Sequence, residues 1–224
     1  MAASSSPAPP QALSTGAEIR FTRPPARLAV VCANGGQGGD VPGTWSASIE
    51  WLVGELVPRF PRLRFAEVKY RIKSWNKLDM CVEDVLAAID ETGGARTLLV
   101  GFSMGGLVSV RAASHPAVSA VLGLAPWFPD RLDMSPLRGR RLDVLHGSLD
   151  RWLPGIPGVS PTLSRRGFER AQKLGVEGSY TMIPGGVHGT ALRPFWGGIA
   201  TLPRAHRWAE LSASVVEQFQ ASEV

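Results

Sequence analysis

One stretch of this chain constrains its fold more than any other. Residues 96–102, Arg-Thr-Leu-Leu-Val-Gly-Phe, form a strongly apolar run that passes without a spacer into Ser103-Met104-Gly105-Gly106-Leu107-Val108. The run reads as a buried strand, and the residues after it read as a helix that ends before Pro116. The chain must therefore turn sharply at Ser103, which lifts the serine hydroxyl out of the sheet. Side chains at Gly101 and Gly105 would collide where strand and helix pack closely, and Gly106 eases the same approach. Gly101-Phe102-Ser103-Met104-Gly105 matches the pattern G-x-S-x-G. Alone that match is weak, but the strand-to-helix setting is the context the pattern needs.

The rest of the chain repeats this alternation. Residues 27–33 (Arg-Leu-Ala-Val-Val-Cys-Ala), 118–124 and 141–146 read as further buried strands, and 18–23, 63–70 and 178–183 as additional ones. Between them, apolar residues recur at helical spacing in 45–57 (Trp45, Ile49, Leu52, Leu56) and 78–91 (Leu78, Val82, Val85, Leu86, Ile89). A helix is expected near 164–174 and another over 204–220, with Trp208, Leu211, Val215 and Phe219 inward. Strands alternating with helices predict an α/β protein with a mostly parallel central sheet covered by helices on both faces. The 224 residues suit one domain, expected over 18–224. Residues 1–17, rich in Ser, Pro and Ala, are expected to be a disordered leader too polar to order itself by burial. They show neither the basic start nor the apolar core of a secretory signal.

At this point a resemblance is plain. Gly-Phe-Ser-Met-Gly-Gly after Leu-Leu-Val resembles the nucleophile turn of the α/β-hydrolase superfamily, in which the serine is followed along the chain by Asp or Glu and then His. Leu145-His146-Gly147-Ser148-Leu149-Asp150, with Pro154 beyond, resembles the acid loop of that family, and Pro184-Gly185-Gly186-Val187-His188-Gly189 its histidine loop. The resemblance spans roughly residues 18–222. It implies Ser103 as nucleophile, His188 as its base and Asp150 as the acid that orients the base. It also implies a small member similar to carboxylesterases and dienelactone hydrolases. Only residues 125–140 lie where larger members insert a helical cap, so a minimal cap or none is expected. The chemistry explains the residue types. A serine hydroxyl is a poor nucleophile until a neutral imidazole takes its proton, and a carboxylate holds that imidazole in the right tautomer. An oxyanion hole is implied at the N–H of Met104 and in the loop Asn34-Gly35-Gly36-Gln37-Gly38-Gly39. There the donor is Gly36 or Gln37, with Gly36 preferred; Asn34 stands where the family commonly has His.

Rival residues have ordinary explanations. His146 reads as a structural histidine beside the acid loop, His115 as the end of a helix before Pro116, and His206 as an exposed position on the last helix. Asp143 lies inside a strand. Asp130 is the fallback acid, because some family members place the acid after the preceding strand. Trp127, Phe128, Trp152, Phe195 and Trp196 fall in loops after strands, the ligand end of a parallel sheet. Trp127, Trp152 and Trp196 are candidate walls of an acyl pocket, with rim packing under loops as the alternative.

Composition excludes several other functions. The net charge of +5 comes largely with arginines such as Arg138, Arg140, Arg141, Arg165, Arg166 and Arg170, and no module interleaves them with stacking aromatics. A nucleic-acid partner is not expected, and attraction of an anionic substrate is the weaker alternative to solvated faces. No apolar run is long enough to span a membrane. Cys32 and Cys81 read as buried free thiols of a cytoplasmic protein, and no Cys/His spacing supports a metal. The glycine-rich loop fails as a dinucleotide fingerprint because Val41 stands where the third glycine is needed, and no Gly-Lys pair makes it a phosphate loop. No cofactor is expected. The sequence thus predicts a serine hydrolase cleaving a small-molecule ester or thioester through an acyl-serine. Acyl transfer on the same residues, and a non-catalytic hydrolase-fold binding protein, are the alternatives.

Overall fold

The computed structural model describes residues 9–151 and 158–222. The chain opens with β1 (Gln11–Ala12), β2 (Glu18–Phe21), β3 (Leu28–Ala33) and β4 (Val41–Pro42), followed by α1 (Ala47–Leu56), β5 (Arg64–Lys69) and β6 (Ile72–Lys73). Next come α2 (Leu78–Asp90), β7 (Arg96–Phe102), α3 (Met104–Ala112), β8 (Val118–Leu124) and β9 (Arg141–Gly147). The C-terminal part carries α4 (Pro161–Gln172), β10 (Tyr180–Ile183), β11 (Ala191–Leu192), β12 (Ala200–Thr201) and α5 (Ala205–Ala221).

Eight strands form one sheet in the order β1-β2-β5-β3-β7-β8-β9-β10. Pairing is parallel from β5 through β10, and β1 and β2 add an antiparallel edge. The central parallel strands β3, β7 and β8 are largely apolar because both faces are covered. In β3, Val31 and Ala33 pack with α2 and α3, while Val30 and Cys32 point to the other face and meet α1 and α5. The helices match their sequence stripes. On α2, Cys81, Val85, Ala88 and Ile89 are buried, and on α5 Trp208, Val215, Val216 and Phe219. Both cysteines are free and buried. Truncating a fully buried residue such as Leu98 or Leu122 to alanine would cost about 2–5 kcal/mol.

The predicted fold class is present, and the connection from β8 to β9 holds only a short 3₁₀ turn at Ser135–Leu137 rather than a cap. The expectation that 1–17 forms a structureless leader needs correction over 9–17; residues 1–8 lie outside the described residues. Gln11–Ala12 pairs with Glu18–Ile19, and Leu13 and Ala17 are buried in the core. The sequence hides this because a two-residue strand leaves no period to read, and the turn around Gly16 (φ 86°) is what folds it back. Two short antiparallel pairs, β4 with β6 and β11 with β12, were also not legible. The antiparallel edge is fastened by Arg20 on β2. Its guanidinium grips Glu67 of β5 through two bonds of 2.9 Å, and burial raises the Glu67 carboxyl despite that partner.

Candidate active site

The turn predicted at Ser103 is strained. Ser103 has φ 56° and ψ −118°, a conformation that costs a non-glycine residue about 1–3 kcal/mol and persists only where the surroundings over-determine it. Several contacts do so. The Ser103 N–H donates to Leu124 O at 3.0 Å, and Ser103 O accepts from Trp127 N at 2.9 Å and Gly106 N at 3.0 Å. Glycine is required on both sides. A Cβ at Gly101 would stand 2.3 Å from Gly105 O, and one at Gly105 would stand 2.3 Å from Ala33 O. Strand, turn and helix thus approach to backbone contact, and the N-terminus of α3, with its partial positive charge, sits directly behind the serine.

The acid and histidine loops are built on one another. Both come after parallel neighbours, β9 and β10, so both emerge at the same edge of the sheet. Leu149 N donates to Gly186 O at 2.8 Å and Ser148 N to Ile183 O at 3.0 Å. A Cβ at Gly147 would meet Gly186 O at 2.4 Å, so this stacking also depends on glycine. The result is a hydrogen-bonded pair from residues 38 apart in sequence: His188 Nδ1 lies 2.7 Å from Asp150 Oδ2. The carboxylate is fully buried and the imidazole nearly so. Asp150 Oδ1 accepts from Val159 N at 2.9 Å. Burial pushes the Asp150 carboxyl up, but the side-chain hydrogen bonds of His146 and His188 outweigh it and hold the group below the ordinary aspartate range. Because a carboxylate can only accept, Nδ1 of His188 carries the proton and Nε2 presents a lone pair. Among the described residues neither the Ser103 hydroxyl nor His188 Nε2 has a hydrogen-bond partner, and bonds of this kind commonly tighten only around substrate. Phe102, next to Ser103, packs on the His188 ring with centroids 4.9 Å apart.

The glycine-rich loop after β3 lies against the serine turn. A Cβ at Gly35 would be 3.5 Å from Ser103 Cβ, and one at Gly36 would be 2.2 Å from Met104 Sδ. Asn34 anchors the loop: its Nδ2 donates to Thr44 O and Val68 O, at 3.0 and 2.9 Å, and its carbonyl accepts from the Tyr70 hydroxyl.

A cavity of about 490 Å³ opens beside His188. Its apolar walls include Trp45, Phe102, Leu149, Val187, Leu192 and Leu202, and Lys73, Arg151 and Arg193 stand among its polar residues. The predicted aromatic walls are largely elsewhere. Trp127 lines a different cavity with Leu78, Leu107 and Leu132. Its backbone supports Ser103, but the residue packs against the core cluster that holds α2 and α3. Phe128 is fully buried. Trp196, 74% exposed, and Phe195, 97% exposed, pack edge-on against each other at the tip of the β11–β12 hairpin, outside the cavity lining. Trp152 lies outside the described residues. Trp45, by contrast, belongs by its spacing to a buried helical stripe. In the structure it precedes the cap of α1 at Ser46 and faces the cavity, with the Arg20 guanidinium 4.4 Å from its ring centre. The preceding Thr44 and following Ser46 are the only signal that could have moved it off the helix.

The rival residues resolve cleanly. Asp130 is exposed and paired with Arg166 and Arg170. Asp143 is buried between Arg141 and Ser179. His115 bonds Asp90 and the Ala117 N–H rather than simply closing α3. His206 is exposed on α5 against Trp51.

No protein-family profile matches the sequence, and no curated protein matches it. Solved structures do. A sugar hydrolase from Lactococcus lactis superposes with a TM-score of 0.70 at 15% identity, over 96% of this chain and 98% of that one. A dienelactone hydrolase from Anabaena variabilis gives 0.61 at 17% identity, over 93% and 96%. An α/β serine hydrolase without a lid from Xanthomonas campestris gives 0.57 at 15% identity, over 80% and 85%. The fold of this chain is therefore the α/β-hydrolase fold, in a form without a cap.

Proposed function

We propose that the protein is a serine hydrolase that cleaves a small carboxylic ester or thioester through an acyl-serine intermediate. One observation carries this reading most: a strained serine at the head of α3 shares a sheet edge with an imidazole whose tautomer is set by a buried carboxylate. In the proposed reaction His188 Nε2 takes the Ser103 proton as the hydroxyl oxygen attacks the acyl carbonyl. The oxyanion is met by the Met104 and Gly36 N–H groups at the end of the α3 dipole. The protonated His188, steadied by Asp150, gives its proton to the leaving alcohol or thiol. Water, activated by the same imidazole, then attacks the acyl-serine and frees the acid. Each side chain returns to its starting protonation, and no cofactor is needed. Free buried thiols favour a cytoplasmic setting, and no helix among the described residues is long and apolar enough to cross a membrane.

Ser103→Ala tests the assignment. A fluorophosphonate probe should label the native protein at Ser103, and the folded alanine variant should take no label and lose hydrolysis of p-nitrophenyl esters. Labelling that persists in the variant at another residue refutes the reading. Across acyl lengths, kcat/KM should peak at about two to six carbons, because each methylene adds about 0.8 kcal/mol only while the cavity still removes it from water. With no cap to open, rates should not jump at an oil interface.

A further inference from the structure

The Asp150 carboxylate has a second histidine. His146, at the end of β9, is wholly buried, and its Nε2 stands 2.9 Å from Val159 O and 3.1 Å from Asp150 Oδ2. A carbonyl and a carboxylate both accept only, so this nitrogen must carry the proton. Nδ1 is then an acceptor, and the Ser164 hydroxyl of α4 reaches it at 2.7 Å. Ser164 Oγ is in turn 2.9 Å from the Tyr180 hydroxyl of β10, which also reaches Pro161 O at 3.0 Å. Pro161 O also lies 3.0 Å from Ser164 Oγ. These contacts link Tyr180, Ser164, His146 and Asp150 in series, with the one Nε2 proton of His146 shared between Val159 O and Asp150 Oδ2, and the series ends on the oxygen that binds His188.

Three elements therefore face His146: its own strand and loop with Asp150, α4 with Ser164, and β10 with Tyr180. Among the described residues, Arg165 brings a cation to this chain, stacked 4.1 Å over the Tyr180 ring. The contact with Val159 matters as much as the direct one. His146 holds the Val159 carbonyl while the Val159 N–H holds Asp150 Oδ1. Gly158 lets this segment lie against the carboxylate, since a Cβ there would be 2.6 Å from Asp150 Oδ1. A histidine present only to fill the core would need none of this convergence. Two imidazole N–H groups on one carboxylate oxygen divide its accepting capacity, so each weakens the pull on the other.

We propose that His146 is a positioning residue of the Ser103–His188–Asp150 site: held as the Nε2–H tautomer by the acceptors Val159 O and Asp150 Oδ2, it fixes the Asp150 carboxylate from behind and, by sharing Oδ2, tempers how strongly His188 holds a proton. The proposal rests on the roles given to Asp150 and His188 above. It separates His146 from Asp143 and His115, whose partners lie away from the His188 pair.

Long-range ¹H–¹⁵N spectra of the ¹⁵N-labelled protein test it without turnover. The native His146 should carry its proton on Nε2 and show Nδ1 as an acceptor. In His146→Leu, the His188 titration and the acid limb of kcat/KM should both move to higher pH, by roughly half a unit to one unit. His146→Gln keeps a side-chain N–H at the place of Nε2 and should return both toward native. Ser164→Ala, which removes the partner of Nδ1 and loosens the ring, should shift them in the same direction by less. A native Nδ1–H tautomer, or a His188 titration unchanged in folded His146→Leu, overturns the proposal. If the leucine variant does not fold, the native tautomer and the Gln and Ser164→Ala shifts decide it. Failure of the two readings is distinguishable. Shifts in the spectra of a protein that takes no probe at Ser103 would refute the serine reading alone. Probe labelling at Ser103 with no such shifts would refute the His146 proposal alone.

Discussion

The two regions that border the His188 cavity are built to opposite standards. The acid and histidine loops are fixed at nearly every atom: glycine-to-carbonyl contacts stack them, and Asp150 is fully buried with both oxygens bonded. Across the cavity, the β11–β12 hairpin is held at its base and by one half-exposed ion pair, Arg193 with Glu50 at 3.0 Å. At the base Ser48 Oγ donates to Ala191 O at 2.8 Å and Thr190 N to Ser48 Oγ at 3.1 Å, while Phe195 and Trp196 stand in solvent at its tip. The contrast shows where geometry matters. Proton transfer needs atoms placed within a few tenths of an ångström, and only a buried, fully bonded carboxylate can be held that way. A wall that merely removes acyl carbons from water tolerates looser construction.

The sharpest way to break this comparison is at the carboxylate. Asp150→Asn should leave the fold intact and lower kcat by about 10⁴, because the amide can stabilise the wrong His188 tautomer. Asp130→Asn, which touches only arginines, should leave kcat nearly native. Steady-state kinetics on both variants decide between them, and a crippled Asp130→Asn would move the acid to the loop after β8.

A smaller effect is expected from the stacking of the loops. Gly147→Ala places a methyl 2.4 Å from Gly186 O, between two backbones that cannot swing away. It should destabilise by about 1–3 kcal/mol in urea unfolding and lower kcat more than it raises KM. A neutral result would mean that the two loops are not as tightly coupled as their contacts indicate.

The acid side of stability gives a third test. The Asp150 carboxyl lies below its unfolded value, so its ionised form stabilises the native state. That contribution is complete above an ordinary aspartate value of about 4 and is lost as pH falls through the lower folded value. The stability gap between the native protein and Asp150→Asn should therefore narrow below about pH 4. A gap that stays constant to lower pH would contradict the burial-and-bonding account of this group.

The smallest effect belongs to the hairpin. Changing Phe195 and Trp196 together to serine should alter stability by no more than about 0.5 kcal/mol, since neither ring is buried in the chain. It should also leave kcat/KM for short acyl esters close to native. A large loss with short esters would place the hairpin tip over the serine during turnover and erase the distinction drawn above.

Much of this molecule was legible because the signals are local. The run 96–102 coincides with β7, and the serine turn is dictated by apolar strand, abrupt helix and paired glycines within a few residues. Apolar runs and helical stripes likewise located the parallel strands and α1, α2 and α5, and the order Ser, Asp, His placed the three candidate side chains in loops at one end of a sheet. What tertiary structure alone decided concerns pairs distant in sequence. Only the crossing of the Gly147 and Gly186 backbones brings Asp150 to His188, only packing sends Trp45 and Trp127 to different cavities, and only docking on β2 makes a strand of Gln11–Ala12. The reading of His146 as a structural histidine was bounded in the same way, because its partners Ser164 and Tyr180 lie on other elements. Periodicity and turn chemistry encode what a residue does to its own segment. The partner it meets depends on how whole elements pack, and that is settled by burial summed over the entire chain.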